Sequence, residues 1–196
     1  MSIEQAKSKK RKVAWGITGA GDKIDEFIQV MQQVKEEHEA TVEIHVYLSK
    51  AAEIVLKFYN LETTLKQSFE KVQVEVNSNT PFLAAWMQNR KYEFLLIAPA
   101  TSNTVAKMAN GIGDTMITNA AIMSLKAFVP VYIVPTDYRE GVVYTKLPNG
   151  KEMKLRVRKE EVEQVKKLES MEGVHVLEGP QKIPSVFKEL FGKNEP

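Results

Sequence analysis

The residues of this chain best suited to chemistry are small, hydroxyl and amide side chains gathered at three places. The first is Gly16-Ile17-Thr18-Gly19-Ala20-Gly21. Glycines let a backbone approach a ligand closely. Exposed N–H groups at the start of a following helix, with the Thr18 hydroxyl beside them, suit a phosphate. The glycine spacing is G-x-x-G-x-G rather than the dinucleotide pattern, and the second apolar run ends in Ser49 rather than in a ribose-binding acid, which argues against NAD. Glycines after a first strand also serve as plain turn formers, so this loop says little by itself. The second place is Ser49, whose hydroxyl either caps its own helix or donates to a phosphate, capping being the commoner role. The third is Ala98-Pro99-Ala100-Thr101-Ser102-Asn103-Thr104, where four consecutive hydroxyl or amide side chains crowd a helix start. A cap needs one of them; the surplus, at the positive end of a helix dipole, points to a bound anion.

Other chemistries find less support. The chain has no cysteine, which removes disulfides, thiolate nucleophiles and any iron–sulfur cluster held by its own thiolates. Redox chemistry would therefore need a bound organic cofactor. His38, His45 and His175 are dispersed without ligand spacing, so no metal site is expected. Asp22, Asp25 and Glu26 open a helix, where acids favour the dipole. Net charge is +2, so nucleic acid is not an expected partner despite the run Lys9, Lys10, Arg11, Lys12, which reads as a solvated tail. No apolar run approaches the roughly 20 residues of a membrane span and no signal peptide is evident, so a cytoplasmic location is expected.

The elements that must position these loops follow from periodicity. Val13 to Thr18 reads as a strand, and Ile24, Phe27, Ile28, Met31 and Val34 recur at helical spacing after it. Thr41 to Leu48 and Lys50 to Tyr59 form a second strand–helix pair. Val72 to Val76 is a short strand, Pro81 opens a helix carrying Leu83, Trp86 and Met87, and Phe94 to Ala98 is a strand buried on both faces. Two helices, Thr101 to Asn110 and Asp114 to Leu125, precede a strand at Val131 to Val134. Pro148-Asn149-Gly150, inside the alternating segment Tyr138 to Val157, predicts a hairpin or arm. A charged helix over Lys159 to Met171, a strand at Val174 to Leu177 and a helix over Pro184 to Phe191 close the chain. The expectation is a basic flexible tail over 1–12 and one domain over 13–196: a three-layer α/β/α, Rossmann-like fold with a mostly parallel sheet and a small C-terminal hairpin. Ligands of such sheets bind outside the carboxyl ends of the strands, where all three loops lie.

The stretch APATSNTVAKMANGIGDTMITNA, from Ala98 to Ala120, resembles the signature of the homo-oligomeric FMN-containing flavoproteins, which include phosphopantothenoylcysteine decarboxylase and lantibiotic peptide decarboxylases. The GITG run, Ser49 with Lys50 and Ala51, and Trp86 fall where that family has matching elements; the likeness spans about Val13 to Pro135, and flavin prenyltransferases share the plan more distantly. The resemblance implies FMN as cofactor, with Gly16, Thr18, Gly19 and Ser49 cradling its phosphate. Thr101, Ser102, Asn103 and Thr104 would hold the phosphate side and the polar edge of the flavin, and Pro135 would lie near the ring. It further implies a homo-oligomer, a trimer or a dodecamer, with the flavin at a subunit contact.

Two decarboxylase features are missing. The catalytic His of those enzymes aligns near Thr80, and their Pro-Ala-Met-Asn motif is replaced by Pro135-Thr136-Asp137-Tyr138. WGITGAG, PTDYREG and the run Tyr144 to Pro148 instead resemble the archaeal flavoproteins and their dihydromethanopterin-reducing branch. That resemblance implies an FMN oxidoreductase taking electrons from a ferredoxin-type iron–sulfur protein and passing them to another carrier or a pterin-like substrate. Tyr138 and Arg139 would form a flexible lip near the ring. The alternatives are a decarboxylase or prenyltransferase of the same fold and a non-catalytic flavin-binding module.

Overall fold

Alternation in the first strand sends Val13, Trp15 and Ile17 into one apolar core and Ala14 into another, so the sheet is buried on both sides. The computed structural model describes residues 10–192. Its elements in chain order are β1 (Arg11–Ile17), α1 (Ile24–Glu37), β2 (Val42–Leu48), α2 (Lys50–Phe58), α3 (Glu62–Ser68), β3 (Lys71–Val74), α4 (Leu83–Gln88), β4 (Leu95–Ala100), α5 (Ser102–Ala109), α6 (Met116–Lys126), β5 (Val131–Pro135), β6 (Gly141–Lys146), β7 (Glu152–Val157), α7 (Lys159–Glu169), β8 (Val174–Val176) and α8 (Ile183–Phe191). The six-stranded sheet runs β3-β2-β1-β4-β5-β8, with every neighbour parallel. Side chains of α1, α2, α3 and α8 pack on one face, and those of α4, α5, α6 and α7 on the other, which makes three layers. Every residue of β4 is buried, as an all-apolar central strand requires.

Several boundaries differ from the sequence reading. β1 begins at Arg11, two residues before the apolar run, because the Arg11 N–H pairs with Thr41 O and its guanidinium lies 4.1 Å from the Phe191 ring centroid. The expected tail is thus shortened from its C-terminal side, and residues 1–9 lie outside the described residues. Pro81 does not open a helix: its carbonyl accepts the Leu83 N–H in a turn, and α4 starts at Leu83. α3 was not anticipated; it buries only Leu65, too little to print a periodicity. The hairpin is present as β6 and β7, antiparallel, with Lys146 opposite Glu152 and Gly150 at φ 80° in its turn. Near its tip the Tyr59 hydroxyl donates to Lys146 O, so the arm reaches from β5 across to the end of α2. No helix among the described residues is long and apolar enough to cross a membrane.

Candidate functional site

From β1 the chain crosses outward to β2 and β3, and from β4 outward to β5 and β8, so a crevice opens between the carboxyl ends of β1 and β4. Side chains of β1 lock that junction. β4 has an irregular register between Ile97 and Ala100, at Pro99, which has no N–H to give a neighbouring strand. The carbonyls left over turn to β1. The Trp15 indole N–H donates to Ala98 O at 2.7 Å, and the Thr18 N–H and hydroxyl both donate to Pro99 O, at 3.2 and 2.8 Å. Thr18 Oγ1 in turn accepts the Thr101 N–H at 2.8 Å. Thr18 is buried, and its hydroxyl is a clamp between the two loops.

Three helices then point their amino ends at one open pocket of about 440 Å³. Ser49 caps α2 by accepting the Ala52 N–H, Thr101 caps α5 by accepting the Thr104 N–H, and Thr115 caps α6 by accepting the Thr118 N–H. All three caps line the pocket, with Gly19, Ala51, Asn103 and Ile117 between them. The N–H groups of Ala51, Asn103 and Ile117, second residues of their helices, make no hydrogen bond among the described residues. Unpaired first-turn N–H groups carry the positive ends of helix dipoles, and three together favour an anion. Glycine is needed at position 19, since a Cβ there would sit 2.6 Å from the Ala51 Cβ and drive the β1 loop off α2. One carboxylate is already present: Glu75 Oε1 accepts the Met116 N–H at 2.8 Å and Oε2 the Lys50 N–H at 3.2 Å.

The structure brings Thr18, Gly19, Ser49, Thr101, Asn103 and Thr104 to this pocket. Gly16 lies beneath it, inside β1, where its missing side chain leaves room for Ile117 at 3.4 Å. Ser102 does not line it; it faces a neighbouring hollow bounded by Arg158, Glu161 and Gln164, and Asn103 borders both. Pro135 borders a separate cleft with Asp22, Lys23 and Gly179. Tyr138 donates to Glu169 at 3.2 Å and Arg139 pairs with Glu178 at 3.3 Å, which ties both residues to the side of α7 and β8. Sequence reasoning missed Thr115, Ile117 and Glu75. The spacing Thr115-x-x-Thr118 is a helix-start signal that could have marked the first two, since the pair forms a reciprocal capping box. Nothing local marks Glu75.

Below the pocket, on the α4 side of the sheet, lies a polar chain that is buried at Tyr47, Tyr92 and His45 and reaches solvent at Glu43. Tyr47 donates to Tyr92, Tyr92 donates to His45 Nδ1 at 2.8 Å, and the His45 Nε2–H donates to Glu43. The Glu43 carboxylate can only accept, which puts the ring proton on Nε2 and leaves Nδ1 to accept from Tyr92. Burial pushes the His45 pKa below its ordinary value, outweighing the opposing pull of Glu43, so the ring is neutral; the hydrogen bond from His45 holds the Glu43 carboxyl below its usual range. Burial raises Tyr47 and pushes Tyr92 up to about 12. His38 packs on Phe187 and Phe191, and His175 stacks on Tyr132 at 4.7 Å.

A doubly wound parallel sheet that gathers capped helix N-termini at its switch point defines a protein of the phosphate- or nucleotide-binding class. The chain belongs to the Flavoprotein family, whose sequence model matches residues 1–192. It is 48% identical over 176 residues to an uncharacterized protein of Methanocaldococcus jannaschii, covering 90% of this chain and 94% of that one. It is 32% identical to a dihydromethanopterin reductase (acceptor) of the same organism, covering 90% and 95% of the two chains. Among solved structures it is similar to Burkholderia xenovorans DmrB in complex with FMN, described as a cubic protein cage for redox transfer, with TM-score 0.77, 31% identity, and 93% and 96% coverage. A dodecameric FMN-dependent UbiX-like decarboxylase from Escherichia coli O157:H7 shares the fold, with TM-score 0.62, 19% identity, and 84% and 78% coverage.

Proposed function

We propose that this chain binds FMN in the pocket at the carboxyl ends of β1 and β4 and uses it to pass electrons. The observation that carries the reading is the convergence of α2, α5 and α6 on one open pocket. The donor set fits the group: first-turn N–H groups and the loop at Gly19 suit a dianionic phosphate, and the Asn103 amide offers both a donor and an acceptor to a polar ring edge. Gly19, Ser49, Lys50, Ala51, Thr101 and Asn103 would hold the cofactor, and Gly16, Thr18, Ser102 and Thr104 would support them. Bound FMN would supply the redox chemistry, for which the chain has no cysteine of its own. The protein's part is to hold, orient and exclude water.

An oxidoreductase is favoured over a decarboxylase because no histidine stands between His45 and His175, and the segment after β5 reads Pro135-Thr136-Asp137-Tyr138. The similarity to a dihydromethanopterin reductase and to a redox cage supports the same choice. A ferredoxin-type protein is the proposed donor, another carrier or a pterin-like compound the proposed acceptor, and the cytoplasm the proposed location. Self-assembly is proposed as well. Val142, Tyr144 and Leu155 of the hairpin, and Ile54 and Phe58 of α2, are exposed, more apolar surface than an arm held by so few contacts should leave in water. Anaerobic absorption spectroscopy tests the proposal: FMN-loaded protein should bleach on addition of reduced ferredoxin. Protein that takes up no FMN, or holds it without bleaching, would reject it.

A further inference from the structure

Glu75 is the one acid lining the pocket where α2, α5 and α6 converge, and its carboxylate already takes N–H groups from two of those helices. Lys50 and Met116 are the first residues of α2 and α6, so the carboxylate bridges the amino ends of both. A negative group is stabilised at each end by the helix dipole. The same N–H groups suit a phosphate, which carries close to two charges and three acceptor oxygens. A carboxylate and a phosphate dianion sharing these donors repel each other.

Resting on the FMN reading, we propose that Glu75 is an internal anion that bridges the amino ends of α2 and α6 and competes with the FMN phosphate for their N–H groups. Of its two contacts the one to the Lys50 N–H is the longer, 3.2 Å against 2.8 Å, and is the one Glu75 would yield to a bound phosphate. Glu75 thus lowers the affinity for FMN and makes release easier, while a flavin lacking the phosphate gains nothing from its removal.

The experiment measures dissociation constants of FMN and riboflavin by flavin fluorescence for the wild type and for Glu75→Gln, which retains an acceptor oxygen but not the charge. FMN should bind Glu75→Gln more tightly, on the order of tenfold, the worth of removing one partly solvated charge beside the phosphate, with riboflavin unchanged. FMN bound equally or more weakly by the variant overturns the inference, as does an equal change for both flavins, which would make Glu75 a ligand of the ring or ribityl chain. Glu75→Asp keeps the charge at shorter reach and should fall between the two; tightening as large as that of the Gln variant would remove the charge argument. Thermal unfolding in inorganic phosphate separates the two levels of failure. If neither protein binds FMN, the cofactor reading falls. Greater stabilisation of Glu75→Gln by phosphate then keeps the competition standing, and equal stabilisation ends it.

Discussion

Two polar regions lie in one sheet and handle their hydrogen bonds in opposite ways. At the carboxyl ends of β1 and β4, helix caps satisfy some first-turn donors and leave those of Ala51, Asn103 and Ile117 open to a pocket. On the α4 side, Tyr47, Tyr92, His45 and Glu43 pass hydrogen bonds in line, with Lys12 closing the chain on Glu43 at 3.5 Å. The difference separates a site from a strut. Open donors under a dipole attract a ligand, whereas a satisfied and largely buried network is rigid and resists one.

Breaking the closed network should cost most in stability and nothing in binding. Tyr92→Phe leaves both the Tyr47 hydroxyl and His45 Nδ1 without their partner, and should destabilise the chain by about 3 kcal/mol in urea unfolding at unchanged FMN affinity. A loss of FMN affinity there would erase the distinction. The Thr18 clamp belongs to both regions, because it is buried yet positions the open loops. Thr18→Val orphans the Thr101 N–H and weakens the grip on Pro99 O, so about 2 kcal/mol of stability and a several-fold loss of FMN affinity should appear together. Gly19→Ala sharpens the contrast from the other side: the added methyl meets Ala51, and FMN should bind about tenfold more weakly, near 1.4 kcal/mol.

The smallest expected effect is on pH. His45 titrates below its ordinary value in the folded chain, so the unfolded chain binds more protons as pH falls below about 6.5, and stability declines there. Glu43, also lowered, adds a loss of the same sign as pH falls further into the carboxylate range. The melting temperature should fall more steeply from pH 8 to pH 5 in the wild type than in His45→Gln, where the histidine contribution is gone. Equal slopes would mean that His45 is not held neutral.

Much of the fold could be read from the residues. Buried runs at β1, β2, β4 and β5 separated by amphipathic helices require a covered parallel sheet, and Pro148-Asn149-Gly150 marked the hairpin. The site was legible only in outline. The surplus of polar side chains after β4 lies at the pocket, but successive residues of a helix point about 100° apart. Thr101, Asn103 and Thr104 therefore reach the pocket while Ser102 faces its neighbour. Pro135 belongs to β5, one strand beyond β4, which places it on a different cleft.

By itself the sequence determined the alternation of elements and the polar loops at their ends, because periodicity, capping and turn chemistry are local. Only the tertiary structure decided that Ser49, Thr101 and Thr115 cap three helices at one pocket, that Thr18 is a clamp, and that Glu75 lies across two helix ends. Those relations join segments far apart in the chain, and the packing of the sheet brings them together.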